Sequence, residues 1–317
     1  MTFHHIDATP ETIRLGLFDA AIPPVLVVNS GDTIEMQCLS GGPEVMPPGE
    51  AGLTIPPALA ALHAAGLERM GTHMLTGPVA VRGAMPGDML EIRIDAIEPA
   101  SDWGYCGFRP LAGTLPDDFP HRFMSHIPVD RERRVCTLPW GPPGGIELKL
   151  APFFGIMGVA PPASWGRISS REPRRHGGNL DNKELVAGSV LFLPVLVPGA
   201  NFSAGDGHGV QGDGEVCVNA LEMCLDGTFT LILHKDRALA VPRGETPTHY
   251  ITMGLNEDLD LAMKQALREM IDLVTTNSNL SRDQAYVSCS LAVDFRVTQT
   301  VNGEKGVHGM LRKGLLF

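Results

Sequence analysis

Met89-Leu-Glu-Ile-Arg-Ile-Asp95 alternates apolar and charged residues without a break. A period of two places Leu90, Ile92 and Ile94 on one face of an extended chain and Glu91, Arg93 and Asp95 on the other. It is the signature of a half-buried strand. The preceding Ala84-Met-Pro-Gly-Asp88 combines proline and glycine as a tight turn does. Before that turn, Gly77-Pro-Val-Ala-Val-Arg82 reads as another strand. The pattern returns at Val186-Ala-Gly-Ser-Val-Leu-Phe-Leu-Pro-Val195, with Ala187-Gly188-Ser189 in place of the Pro-Gly-Asp turn. Two such units hint at an internal duplication.

Working outward, Val25–Val28 and Thr33–Cys38 flank the turn signal Asn29-Ser30-Gly31-Asp32 and read as a hairpin. A helix is expected within Pro56–Met70. Residues 110–150, rich in proline, glycine and mixed charge, read as a surface excursion or lid. The last third carries the clearest helices. Asn256–Val274 spaces Leu259, Leu261, Met263, Ala266, Leu267, Met270 and Ile271 near a helical repeat. Ser281-Arg-Asp-Gln284 fits a capping box that opens a second helix through Ala292. Val293–Val301 then alternates as a strand and ends in the turn Asn302-Gly303. The expected class is α+β, mainly β, with β-sandwich or barrel-like subdomains and a C-terminal portion holding two helices. The chain reads as one unit over 1–317, with possible subdomains at 1–160 and 161–317.

At 317 residues the chain can bury a large core, and its 44% hydrophobic and 19% charged residues are those of a globular protein. A net charge of −11 argues against nucleic acid and anionic membrane as partners. The start, MTFHHIDATP, lacks a basic region followed by an apolar core. The longest apolar run, Ser189–Ala200, is short and broken by prolines. A cytoplasmic location is the resulting expectation. Six cysteines form no Cys-X-X-Cys pair, so zinc-ribbon and redox spacings are absent. Cys106 has no nameable base beside it, and reads as a small buried residue rather than a nucleophile.

The densest chemistry lies in Ala204-Gly-Asp-Gly-His-Gly-Val-Gln-Gly-Asp-Gly-Glu215. Oxygen and nitrogen donors this crowded suit a hard or borderline metal ion. Asp206 and His208 are two apart, so an extended backbone turns them the same way, and Asp213 and Glu215 repeat the spacing. His176-Gly-Gly-Asn-Leu-Asp181 is a second cluster, and His73, just before a strand, a third contributor. Taken singly, each has a plain reading: a turn aspartate, a hydrogen-bonded loop histidine. Gly207–Gly212 formally matches a dinucleotide glycine pattern. It is rejected because His208 sits inside it and the strand-like Val216-Cys-Val218 follows instead of a helix.

The chain resembles the acetamidase/formamidase family. The resemblance is carried by His73-Met-Leu-Thr-Gly-Pro78, Gly83-Ala-Met-Pro-Gly-Asp88, Pro152-Phe-Phe-Gly-Ile-Met-Gly158 with Ala160-Pro-Pro162, and His176–Lys183. It continues through Gly205–His208, Gln211–Glu215, Asp294–Gln299 and Gly306-Val-His308, in order over nearly the whole chain. Residues 38–50 and 110–150 match no such motif. The resemblance implies hydrolysis of small amides to a carboxylate and ammonia on a β-rich, often oligomeric fold. Some members open cyclic amides such as γ-lactams.

That chemistry agrees with the residues. Amides are poor electrophiles, and a divalent metal can polarise the carbonyl while a carboxylate moves the proton. The expected assignment is Asp181, Asp206 and His208 as metal ligands, with His73 as a further one. Glu215 is the expected general base and then acid. Asn179, Lys183 or Gln211 would hold the carbonyl oxygen or amide nitrogen, with Lys183 also a catalytic candidate. The imidazole and carboxylate mix favours zinc, then calcium or manganese. The expected partners are a small amide and further copies of this chain. A non-catalytic, calcium-stabilised binding protein is the competing class, against which His208 speaks.

Overall fold

The computed structural model describes all 317 residues. Two large sheets dominate. The first has nine strands, in the order Phe3–Ile6, Thr33–Cys38, Leu225–His234, Met89–Pro99, Val190–Pro194, Arg243–Glu245, His249–Asn256, Lys305–Arg312 and Val293–Gln299. The second has six, running Gly177–Asn179, Phe153–Gly158, Phe202–His208, Met74–Val81 and Ile13–Leu15, with Leu26–Val28 also on Met74–Val81. Neighbours in both sheets are antiparallel except Phe3–Ile6 on Thr33–Cys38 and Leu26–Val28 on Met74–Val81. Neither sheet closes into a barrel. Strands from before and after residue 160 share both sheets.

The main core lies between the sheets. Ile34, Ile92, Leu191, Phe229 and Leu231 of the nine-stranded sheet meet Val79, Val81, Phe154, Met157 and Phe202 of the six-stranded one in one buried cluster. The two turn-then-strand units lie side by side, Val190 opposite Arg93 and Pro194 opposite Met89. The strand read at 89–95 extends to Pro99: Leu90, Ile92 and Ile94 are buried two apart, and a bulge opposite Thr228 and Phe229 then shifts the buried set to Ile97 and Pro99.

Three expectations change. The turn at 29–32 exists, with Asp32 N–H donating to Asn29 O at 3.0 Å, but it is a corner between sheets and not a hairpin. Leu26–Val28 joins the six-stranded sheet and Thr33–Cys38 the nine-stranded one, because both strands bury a face in the core between them. Residues 110–150 are not a loose excursion. Phe123–Asp130, Val135–Leu138 and Ile146–Lys149 pair with Trp103–Phe108 in a four-stranded sheet. Their outer faces are solvated, so charge and turn residues hid the alternation. Val216-Cys-Val218 is a turn rather than a strand.

The early helix runs Pro57–Ala64 and buries Leu59 and Leu62. The long helix runs Leu259–Asn277, starting at its cap Asp258, whose side chain accepts from Leu261 N–H. Ala262, Ala266, Met270, Ile271 and Val274 form its buried face, whereas Leu261 faces solvent. Gly254 lets this helix approach: a Cβ there would sit 1.9 Å from Ala262 O. The next helix, Arg282–Ala292, has the full Ser281/Gln284 capping box. No helix is long and apolar enough to cross a membrane.

Candidate active site and metal centre

The site lies where Phe202–His208 leaves the six-stranded sheet. Asp206 and His208 turn inward, while Gly205 and Gly207 face the neighbouring backbone. A Cβ on Gly205 would meet Met74 O at 2.1 Å, and one on Gly207 would meet Met223 O at 2.5 Å. Asp181 follows the edge strand Gly177–Asn179, and its N–H donates to Gly155 O at 3.1 Å. Gly155 is the floor. A side chain there would place its Cβ 2.6 Å from Asp181 Oδ1, 2.6 Å from Asp206 Oδ2 and 2.8 Å from His208 Cε1.

Ligand atoms of Asp181, Asp206 and His208 all fall within 4.8 Å of one another, as do those of His208, Glu215 and Glu222. All five side chains are buried. Asp181, Asp206 and Glu215 hold left-handed backbones, with φ of 48°, 57° and 44°. Such conformations cost about 1 kcal/mol or more in a non-glycine residue and cluster at functional sites. Here they bring three carboxyl groups to one point.

His208 has a defined orientation. Gln211 Nε2 donates to the carbonyl of Asp181 at 2.9 Å, which only an amide nitrogen can do. Gln211 Oε1 therefore faces His208 Nδ1, 3.0 Å away, and that nitrogen carries the proton. Nε2 faces the carboxylates, 3.3 Å from both Asp206 Oδ2 and Glu222 Oε1 yet aligned for a hydrogen bond with neither. Asp181 Oδ1, Glu215 Oε2 and Asn179 Oδ1 are likewise buried without a partner. Buried polar atoms are rarely left so.

Electrostatics make the same point. Burial raises the carboxyl pKa values of Asp181, Glu215 and Glu222, and the charge of Asp181 adds to the rise at Glu215. Burial would raise Asp206 too, but His73 and His208 outweigh it and hold it low. For His208 burial opposes the charge, and Glu222 with Asp206 outweigh that and raise it, so the same carboxylates favour either a proton or a cation at Nε2. Four carboxyl groups cannot all ionise in one dry space without a cation. Orphaned oxygens, a free imidazole nitrogen and the cradle over Gly155 fit a divalent ion.

The expected residues divide. Asp181, Asp206, His208 and Glu215 converge. His73 lines the adjoining cavity with Nδ1 against Ser170 Oγ at 2.8 Å, but stands outside the two ligand clusters. Asn179 lines the cavity, its Nδ2 donating to Arg171 O at 3.2 Å. Gln211 lies behind His208, away from the cavity lining. Lys183 is turned elsewhere, its ammonium 3.1 Å from Asp213 Oδ2, so neither residue of that ion pair joins the cluster. His176 is buried edge-on to Phe18 and Trp165, and burial pushes its pKa down to about 3.

Two site residues escaped the sequence reading. Glu222 lies 3.3 Å from His208 Nε2 and is buried. Its signal was a lone charge in the apolar run Ala220-Leu-Glu-Met-Cys224. Asn302, read only as a turn residue, donates from Nδ2 to Asp181 Oδ2 at 2.5 Å. Gln299 shapes that turn, its Oε1 accepting from Val301 N–H and Asn302 N–H. The cavity in front of the cluster holds about 230 Å³ and is lined by Tyr105, Asn179, Asp206, Glu215 and Glu222 among others.

The acetamidase/formamidase family model matches residues 16–172 and 165–307. The chain belongs to the acetamidase/formamidase family. It is similar to an acetamidase of Mycolicibacterium smegmatis, with 30% identity over 206 residues, covering 48% of this chain and 51% of that one. It spans between 51% and 61% of the length of the curated relatives it matches. Its fold is similar to the crystal structure of an acetamidase from Bacillus halodurans, with 28% identity, 97% of each chain covered and a TM-score of 0.83. A γ-lactamase of Delftia acidovorans shares the fold at a TM-score of 0.64 and 22% identity, over 99% of this chain and 93% of that one.

Proposed function

We propose that this protein hydrolyses a small amide to a carboxylate and ammonia, with a divalent metal, zinc first, held by Asp181, Asp206 and His208. Calcium and manganese are the other candidates. The observation that carries the reading is the convergence of those three side chains over Gly155, beside the unpartnered carboxyl oxygen of Glu215. Glu222 stands 3.3 Å from the same His208 nitrogen and is a fourth candidate for holding the ion. When bound, the ion would supply Lewis-acid chemistry to the amide carbonyl and to water.

The chain's own residues supply the proton transfers and the pocket. Glu215 takes the proton of the attacking water and returns it to the leaving nitrogen, which then departs as ammonia. Burial raises the pKa of its carboxyl, favouring that second role. Asn179 has its amide nitrogen committed to Arg171 O, so its free Oδ1 is an acceptor for the substrate NH₂. Gln211 keeps His208 in the tautomer whose Nε2 can bind a cation. His73 remains a nearby donor at the cavity wall. Lys183, committed to Asp213, is given no part.

A cyclic amide is the second reading, supported by the cavity of about 230 Å³, between two and three times what formamide's three heavy atoms fill at roughly 30 Å³ each. Self-association is part of the proposal, supported by the exposed Tyr286, Val287 and Leu291 on the last helix, and a cytoplasmic location is proposed with it.

The test is ammonia release from formamide, acetamide and larger amides, with ring opening of a γ-lactam, before chelation, after it, and after adding back zinc, calcium or manganese. Activity lost with chelator and restored by one ion supports the reading. Turnover untouched by chelation, with no metal found by elemental analysis, removes the metal. Failure to turn over any amide favours a calcium-stabilised binding protein. Glu215→Gln should lower kcat about 10²- to 10⁴-fold with bound metal retained.

A further inference from the structure

We propose that the preferred substrate is an amide that also carries a carboxylate, recognised by Arg109 and Arg171 at the wall of the site cavity. The inference rests on the amide-hydrolysis reading and narrows it.

The cavity volume comes first. About 230 Å³ is room for about seven waters at roughly 30 Å³ each, whereas formamide has only three heavy atoms. The acyl group therefore has space for several more atoms. Their character follows from the walls. Only three of the seventeen lining residues are hydrophobic, so an alkyl or aryl acyl group would find little apolar surface to bury against. A larger substrate that fits these walls is polar.

The charge distribution gives the sign. Asp206, Glu215 and Glu222 line the end where the cation would sit, and Arg109 and Arg171 line the same cavity. Neither guanidinium takes part in an ion pair. Arg109 makes no side-chain hydrogen bond, and Arg171 makes one, to Val301 O at 3.4 Å. Both are exposed at the cavity and keep most of their donors free. A neutral amide carbonyl offers either guanidinium one uncharged acceptor. A carboxylate matches the planar fork of either guanidinium in a bidentate pair. Arg171 also has its carbonyl tied to Asn179 Nδ2, which links the proposed anion clamp to the proposed amide acceptor.

The experiment compares the monoamide of butanedioic acid with its neutral diamide on the metal-replete full chain. The diamide offers two copies of the amide that the monoamide offers once, a statistical factor of two in its favour, and lacks the far charge. The expected result is a kcat/KM at least about tenfold higher for the anionic monoamide, carried mainly by KM and falling with added salt. In the double variant Arg109→Gln, Arg171→Gln that ratio collapses to about one through a rise in KM for the monoamide. Arg109→Lys with Arg171→Lys keeps part of it. Calorimetric titration with the product dianion, butanedioate, gives binding that weakens at least about tenfold in the same double variant. Equal or better turnover of the neutral diamide, or a ratio unchanged in the double variant, overturns the carboxylate assignment and leaves the amidase reading standing. No turnover of either amide removes both.

Discussion

Gln211 Oε1 lies 3.0 Å from His208 Nδ1, while the same side chain's Nε2 lies 2.9 Å from the carbonyl of Asp181. One amide thus links two candidate ligands from separate segments. It sets the tautomer of the first and braces the backbone of the second. Ligand histidines depend on such partners for orientation and basicity. Gln211→Ala should weaken metal affinity about 10- to 100-fold with the fold intact. Competition against a chelating dye measures it; unchanged affinity would remove Gln211 from the site.

Gly155 makes a steric prediction. Gly155→Ala puts a methyl 2.6 Å from carboxyl oxygens of both Asp181 and Asp206. Overpacking of this kind costs about 1–3 kcal/mol of stability. The larger loss should be in the bound ion, with metal content falling to a small fraction of the parent's. Elemental analysis beside a thermal melt separates the two effects. A folded variant with full metal content would contradict the cradle.

Cys106 and Cys217 have sulfurs 3.7 Å apart beside the site loop. The thiol of Cys106 donating to Cys217 holds the latter down at about 6, while Cys38 is pushed up to about 12 by burial. Thiolate fraction governs alkylation. Iodoacetamide at pH 7 should therefore modify Cys217 well before Cys38, Cys136 or Cys224. In Cys106→Ala the rate at Cys217 should drop roughly tenfold. Mass spectrometry of timed digests reads both, and uniform labelling of all six would refute the contrast.

Asp32 ties the acid limb of stability to the corner between the sheets. Its carboxylate accepts from Asn29 N–H at 2.9 Å and Thr2 N–H at 2.7 Å, which lowers its pKa from 3.8 to about 2. A depressed folded value stabilises above the unfolded pKa, and that stability fades as pH falls from 3.8 through about 2. Asp32→Asn should cost about 1–3 kcal/mol at neutral pH and flatten the thermal-midpoint curve over that acid window. Parallel slopes for both proteins would show that Asp32 is not the titrating group.

The sequence by itself determined what local physics decides. Alternation at Met89–Asp95 made a strand because apolar residues two apart reach one buried face. Ser281 and Gln284 began a helix because their side chains satisfy backbone N–H groups within three residues. Asp206 and His208, two apart, were legible as a pair, although they converge through a left-handed φ of 57° at Asp206 and not through a regular extended backbone. Glycine density around them marked a crowded place, and Gly155 with Gly205 and Gly207 is where that crowding occurs.

Only the tertiary structure decided which strands are neighbours and which carboxyls meet. Leu26–Val28 and Thr33–Cys38 look like one hairpin, yet the core pulls them into different sheets. Lys183 is two residues from Asp181 but turns to Asp213, while Glu222 and Asn302, far along the chain, reach His208 and Asp181. Such pairings depend on burial and long-range register. No spacing along the chain encodes them, because they exist only once the sheets have packed.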